Sequence, residues 1–354
     1  MMNPLLSFLE RDEAVDAVAY VRGVLAQAGG TSTPKVIDTL RRSPDRVIAD
    51  NVSVFLDLAL GTERAERLGK GQAGWLFTDR MAEQATHPEI AAHHAEPFRG
   101  CRHVLEICSG AGIDSAALAA VADAVTSFEA DAHTAAIARG NLARAGLTNV
   151  TVMNAEWPHT MPADVDGVWA DPSRRTERGR SRTGAQYAPP LASIPTARVV
   201  GIKVGPGDVV DDAGYVSEYV GYGRECRERI LWRSSHITER TVALVDAGVR
   251  WSWSRELTPI VVPQAAILIE PHNAIVASGG VGTFFAEIGA GVFDPHIAYG
   301  AMNAEPPSSP WYDVYRVVKI DRGVSVRRIQ ESIREFGWGP TTIFKKRGWE
   351  RDPE

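Results

Sequence analysis

With 354 residues, 44% of them apolar and 23% charged, the chain is too long for one small domain and has an ordinary soluble, globular composition that predicts two or three domains, each burying a core. Its 38 basic and 44 acidic side chains give a net charge of −6, which excludes a whole-surface electrostatic grip on nucleic acid and leaves only local binding. The three cysteines, Cys101, Cys108 and Cys226, form no CxxC pair and are too scattered to hold an iron–sulfur cluster; they read as reduced thiols in a cytoplasmic protein.

The first ten residues lack a basic region and turn acidic after Leu9, so no signal peptide is expected. The apolar stretch from Ile260 to Ile269 is broken by Pro263 and Gln264 and is too short to span a bilayer, so no membrane partner is expected. Val15, Val18, Val21 and Leu25 fall at helical spacing and Gly29-Gly30 stops the pattern. Pro34 opens a further helical stretch, and Val52 to Leu60 continue the periodicity. Residues 1–98 are therefore a mostly helical N-terminal cap. At its end Trp75 to Thr86 read as a loop and a helix, whose Phe77 and Thr78 either pack the cap onto a sheet or help close a cofactor site.

Residues 103–131 organise the rest. Val104, Leu105 and Ile107 feed a glycine turn, Gly110-Ala-Gly112, followed by an Ala-rich stretch: buried strand, tight turn, helix. Glu129 ends the next apolar strand, where nucleotide folds place a carboxylate on two ribose hydroxyls. A dinucleotide turn needs a third glycine and a helix N-terminus open to pyrophosphate. Here Ser115 holds the third position and Asp114 puts a carboxylate in the turn. Glu106 and Asp114 suit S-adenosylmethionine, which lacks phosphate and carries a sulfonium and an ammonium; a dinucleotide, or a turn of purely structural meaning, are the alternatives.

A third strand, Val150–Asn154, leads to Ala155 and Glu156 at the expected adenine position. The fourth, Asp166–Ala170, ends in Asp171-Pro-Ser-Arg-Arg175, in a loop facing the ligand crevice. Arg174, Arg175, Arg178, Arg180 and Arg182 then face only Glu177, which fits either a solvated surface or recognition of phosphate or carboxylate. Tyr187 follows, then a fifth strand, Arg198–Val204, whose Lys203 needs a carboxylate partner or an exit to solvent. Val216–Val220, Glu225–Trp232 and Arg240–Ala247 complete the sheet, so the cofactor core spans 99–257. Residues 258–354 form a small α+β domain, with Ala265–Glu270, a glycine-interrupted Ala274–Ile288, and Val314–Ile320, Ser325–Phe336 and Thr341–Lys346 in β-α-β order.

The set Val104–Gly112, Ala170–Arg175 with Gly179-Arg180, Tyr187–Leu191, Lys203–Gly207, Asp294–Tyr299, Ser325–Arg328 and Lys345–Gly348 resembles the bacterial class I methyltransferases that carry a C-terminal THUMP-like domain. The similarity runs from about Trp75 onward. The Asp-Pro-x-Arg-Arg loop and the Lys-Lys-Arg-Gly stretch are its most specific parts, while Ser109 and Ser173 depart from the usual cysteine and alanine. The resemblance implies S-adenosylmethionine as methyl donor on a doubly wound, Rossmann-like α/β core, here with an apparently shortened THUMP-like end. The candidate cofactor residues are Glu106, Ser109, Gly110, Gly112, Asp114, Glu129, Ala155 and Glu156, with Phe77 and Thr78; no metal is expected. Asp171 is the candidate catalytic residue, accepting a proton or hydrogen bond from a nitrogen or oxygen nucleophile. Arg174 and Arg175 would hold an anionic acceptor, and Tyr187 or Trp169 would stack on it. The acceptor is RNA, a nucleotide or a small metabolite; the third reading is a non-catalytic S-adenosylmethionine-binding module, with Asp171 paired to an arginine.

Overall fold

A computed structural model gives the structure of the chain and describes residues 4–173, 175–176, 179–180, 187–320 and 325–337. Seven helices come first: α1 (Pro4–Leu9), α2 (Glu13–Gln27), α3 (Pro34–Arg41), α4 (Arg46–Asp50), α5 (Val52–Arg67), α6 (Asp79–Gln84) and α7 (Pro88–Ala95). Their boundaries follow local chemistry. The Thr33 and Thr78 hydroxyls accept from Val36 N and Met81 N at the starts of α3 and α6, and Pro34 and Pro88 occupy first-turn positions where no N–H is needed.

The doubly wound part alternates β1 (His103–Ile107), α8 (Ile113–Ala119), β2 (Ala124–Glu129), α9 (Ala132–Arg144), β3 (Val150–Asn154) and β4 (Gly167–Ala170), then the short hairpin β5 (Arg175–Thr176) and β6 (Gly179–Arg180), and β7 (Val199–Val204). After them run β8 (Val216–Tyr222), β9 (Glu225–Ser234), β10 (Arg240–Leu244), β11 (Val249–Trp253), β12 (Ile267–Pro271), α10 (Asn273–Ser278), α11 (Val281–Glu287), β13 (Gly291–Val292), β14 (Gly300–Met302), β15 (Tyr312–Arg316) and α12 (Val326–Glu335). No helix among the described residues is long and apolar enough to cross a membrane.

Contacts gather the chain into two compact units, residues 1–217 with 228–238, and residues 218–227 with 239–354, a grouping that differs from the sequence boundaries at 98/99 and 257/258. The helices join the sheet because they share one core with it. Leu5, Leu9, Val18, Phe55 and Leu76 are buried in the same cluster as Ile113, Ile137, Leu142 and Val152. The fit is close enough that a Cβ on Gly140 of α9 would lie 2.6 Å from the Leu9 carbonyl oxygen.

In the first unit the strand order is β3-β2-β1-β4-β7-β9, parallel except that β9 runs against β7. Alternation along each strand splits the side chains between two faces. Leu105, Ile107, Val168, Ala170, Val200, Ile202 and Val204 bury into one cluster with Phe128, Trp157 and Tyr187. Their neighbours in sequence, Glu106, Trp169, Gly201 and Lys203, belong to the other face. There a Cβ on Gly201 would come within 2.4 Å of Trp232 and 2.8 Å of Trp169, so only glycine leaves room for the two indoles.

In the second unit β8 pairs in parallel with β10, and β10 antiparallel with β11. A four-stranded sheet of order β13-β14-β12-β15 packs Ile269, Phe284, Phe285 and Tyr312 into one apolar cluster with Trp253. This unit is richer in strands than the sequence suggests, since β13 and β14, of two and three residues, are too short to carry a periodic signal. The expected strand Thr341–Lys346 lies outside the described residues.

Candidate active site

The glycine turn closes β1. Gly110 and Gly112 have φ of +55° and +91°, and Cys108 takes φ +70°, a left-handed conformation that costs a side-chain-bearing residue roughly 1–3 kcal/mol. The Phe128 carbonyl accepts from both Cys108 N (2.9 Å) and Ser109 N (3.2 Å), which ties the turn to the end of β2. The Glu129 carboxylate accepts from Gly110 N at 3.1 Å and Asp131 N at 3.0 Å. A pyrophosphate would need such turn N–H groups for itself; here one already serves a carboxylate, which fits a nucleoside without phosphate. The Ser109 hydroxyl is buried with no partner among the described residues, an open valence in this turn. Asn141 of α9 sets the turn's distance from the helices. Its amide donates to the Ala111 carbonyl (3.1 Å) and the Leu76 carbonyl (3.0 Å) while accepting from Leu76 N (2.8 Å).

The second half of the site grows from strand register. Trp169 of β4 pairs with Gly201 of β7 and Ala170 with Ile202, so the next positions along the two strands are Asp171 and Lys203. On β9, Glu228, Ile230 and Trp232 alternate onto one face, and Ile230 is the register partner of Lys203. Lys203 Nζ lies 2.9 Å from Asp171 Oδ2, 3.4 Å from Glu228 Oε2 and 3.3 Å from Thr86 Oγ1. His94 of α7 bridges onward, its Nδ1 donating to Asp114 Oδ1 at 2.8 Å and its Nε2 to Glu228 Oε1. Thr86 also donates to Asp114 Oδ2 at 2.8 Å. Beneath them the His94 ring lies 4.4 Å from that of Trp169, which is fully buried with Trp232 and Phe98.

Two carboxylate partners require both ring nitrogens of His94 to donate, which only the imidazolium does. Burial opposes that charge, but Glu228 and Asp114 outweigh it and raise the pKa to about 9. Burial likewise works against the Glu228 carboxylate, yet His94 and Lys203 hold it down to about 2. Asp114 is also lowered, against its burial, chiefly by His94. Asp171 is raised: burial outweighs the pull of Lys203, and Asp114 and Glu228 add repulsion. Glu106, also buried, accepts from the Ser115 and Ser127 hydroxyls, and burial prevails over them to raise it to about 8.

The structure brings together Ser109, Gly110, Gly112 and Glu129 in the turn, with Ala155 N donating to the Glu129 carbonyl at 3.1 Å and Glu156 exposed beside it. Asp114 and Glu106 sit deeper, engaged by His94 and Thr86 and by the two serines. Thr78 caps α6, and Phe77 is 1% exposed, its ring stacked with Trp75. Tyr187 and Trp169 are 2% and 0% exposed. Tyr187 donates to Asp208 Oδ2 at 2.6 Å, and neither ring has a face open for stacking on an acceptor. The side chains of Arg174 and Arg175 lie outside the described residues. Ser173 and Ala188 form a clasp in which Ser173 N donates to the Ala188 carbonyl (2.8 Å) and Ala188 N to the Ser173 carbonyl (3.0 Å). Thr86, His94, Asn141 and Glu228 were not singled out from sequence; Lys203 was, as a strand lysine in need of a partner.

No protein-family model matches the sequence. The chain is 28% identical over 295 residues to two uncharacterized S-adenosylmethionine-dependent methyltransferases of Mycobacterium tuberculosis, from strains CDC 1551 and H37Rv, covering 80% of each sequence. Its structure resembles the crystal structure of a protein from Porphyromonas gingivalis W83 assigned as a methyltransferase, with a TM-score of 0.66 at 16% identity, over 91% of this chain and 86% of that one. The fold is therefore the Rossmann-like α/β core of class I methyltransferases, flanked by N-terminal helices and a small β-rich C-terminal part.

Proposed function

We propose that this chain is an S-adenosylmethionine-dependent methyltransferase that acts on a nitrogen or oxygen nucleophile of an anionic acceptor, a small molecule or RNA. The observation that carries this reading is the Glu129 carboxylate seated on Gly110 N and Asp131 N at the end of β2, beside the open Ser109 hydroxyl, in a methyltransferase fold. The M. tuberculosis relatives support it. Glu129 would accept from both ribose hydroxyls, with Ser109, Gly110 and Gly112 forming the cradle and Ala155 and Glu156 flanking the base. When bound, S-adenosylmethionine supplies an electrophilic methyl group. The chain's own work is then to hold the acceptor in line and to exclude water. Asp171 accepts a hydrogen bond or proton from the nucleophile, and Arg174 and Arg175, on the segment closed by the Ser173–Ala188 clasp, take the acceptor's anionic group. Among the described residues Asp171 pairs with Lys203, and the catalytic reading gives that pair its role in holding the carboxylate. The THUMP-like reading of residues 258–354 rests on sequence resemblance alone, and the cytoplasmic placement on three free cysteines.

Calorimetry with S-adenosylmethionine, S-adenosylhomocysteine and NAD tests the cofactor; binding of NAD in place of the first two would overturn the assignment. Transfer of tritiated methyl into either total bacterial RNA or a small-molecule extract tests the reaction and separates the acceptor classes. In the fraction that takes label, Asp171→Asn should slow transfer by ~10²–10⁴-fold with cofactor affinity retained. Full activity in that variant would remove Asp171 from the chemistry.

A further inference from the structure

We propose that Lys203 is the positioning residue for Asp171: clamped from behind by Glu228 and Thr86, its ammonium fixes one carboxylate oxygen of Asp171 and leaves the other for the acceptor. This rests on the reading of Asp171 given above and extends it to a group two strands and a helix deep. The register that places Lys203 beside Asp171 is set by six residue pairs between β7 and β9 and four between β4 and β7, so the contact belongs to the sheet rather than to a mobile loop. Lys203 is 12% exposed and Glu228 5%, whereas Asp171 is 33% exposed. Only Oδ2 of Asp171 meets Lys203, and among the described residues Oδ1 accepts no hydrogen bond.

The charges give the arrangement its direction. Among the described residues the groups facing Asp171 are Lys203 on β7, Glu228 on β9, Asp114 on α8, and Glu106 and Cys108 on and beside β1, with His94 of α7 behind them. Glu106 stays protonated to about pH 8, and burial pushes the Cys108 thiol well above its ordinary range, so neither adds charge at neutral pH. Asp114, Glu228 and Asp171 then stand against His94 and Lys203. His94 is consumed between Asp114 and Glu228, which leaves Lys203, among the described residues, as the cation that favours the ionised form of Asp171 in a site whose burial favours the neutral acid. An ionised Asp171 held by one oxygen can accept from a nucleophile without first reorienting.

The experiment is a pH titration of full-length protein labelled with carboxyl-¹³C aspartate, with the Asp171 signal assigned by its loss in Asp171→Asn. Lys203→Met should raise the Asp171 midpoint by at least ~1 unit, a tenfold gain in proton affinity. Glu228→Gln should move it the opposite way, because a repelling carboxylate is removed and Lys203 is released toward Asp171. Lys203→Arg should stay within about half a unit of the parent chain, since the charge is kept. Opposite shifts in the first two variants support the proposal. An unchanged midpoint in Lys203→Met overturns it, as does a shift of the same sign in both; if Lys203→Met does not fold, an unmoved or raised midpoint in Glu228→Gln overturns it. Calorimetry with S-adenosylmethionine on the same samples keeps the two readings apart: absent binding in the parent chain refutes the methyltransferase assignment, whereas unshifted midpoints with binding intact refute the role of Lys203 alone.

Discussion

Glu129 and Asp171 stand at the ends of two strands of one sheet, yet they are held by opposite means. Glu129 rests on the main chain, on N–H groups whose direction is set by the glycine turn and by the start of α9. Asp171 rests on a lysine, which rests on a glutamate, which shares a histidine with a second aspartate. The first arrangement survives most side-chain changes around it, because backbone donors cannot be substituted away. In the second each charge compensates the others in a poorly hydrated space, so loss of one member strands its neighbours. The contrast pairs the carboxylate proposed to bind cofactor, held by main chain, with the one proposed to react, held by other charges.

The largest effect should come from breaking the charged side. His94→Ala leaves Asp114 and Glu228 without their shared imidazolium and should cost about 3–5 kcal/mol in urea unfolding; a loss below about 1 kcal/mol would mean that water replaces the ring. Glu129→Ala tests the backbone-held side. It should weaken S-adenosylmethionine by ~1–2 kcal/mol in calorimetry, about tenfold, with a smaller stability change than His94→Ala. Unchanged affinity would take Glu129 out of the cofactor site. Ser127→Ala removes one of two hydroxyls from Glu106, itself held without a counter-charge, and should cost only about 0.5–1.5 kcal/mol.

The finest test is the pH dependence of thermal unfolding. His94 binds its proton more tightly folded, so its contribution is complete below its ordinary 6.5 and is lost as pH rises through about 9. Glu106 acts in the same sense, complete below 4.5 and lost through about 8. Glu228 acts in the other, present above 4.5 and lost as pH falls toward about 2. Melting temperature should therefore decline from pH 6.5 to 9, and Glu106→Gln should remove part of that slope while His94→Gln removes the remainder near 9. A melting temperature flat across this range would contradict the protonated state of both groups.

The two sides also differed in how readable they were. The turn and Glu129 are consecutive features of one βαβ unit, so an apolar run, two glycines and a strand-end carboxylate were enough. β1, β3, β7, α2 and α5 follow from the same local periodicity, and Pro34 marks the start of α3. The charged side draws Thr86, His94, Asp114, Asp171, Lys203 and Glu228 from six separate places, and nothing local marks a residue whose partner lies over a hundred positions away, as His94 and Glu228 do. A partial signal existed in parity: Val199, Gly201 and Lys203 share a face, and a lysine following a glycine on an otherwise apolar strand announces a buried counter-charge. The alternation in Val249-Arg-Trp-Ser-Trp253 likewise carries the period of a strand, which β11 bears out. The burial of Tyr187 could not be read at all, since an aromatic in a loop looks the same in sequence whether its ring faces ligand or core; Trp169, inside β4, could have been read as core from its strand.

The seat of α1 against Gly140 has a consequence for how the chain is made. Leu9 leaves the ribosome about 130 residues ahead of Gly140, the glycine that receives it, and at about 5–20 residues per second that interval is on the order of 10 s. For that time the apolar side of the nascent first helix has no final resting place, even though Phe8 can meet Phe55 much sooner. The apolar side of α1 therefore stays uncovered until α9 has been made, and a chaperone that binds exposed apolar helices would find its target there.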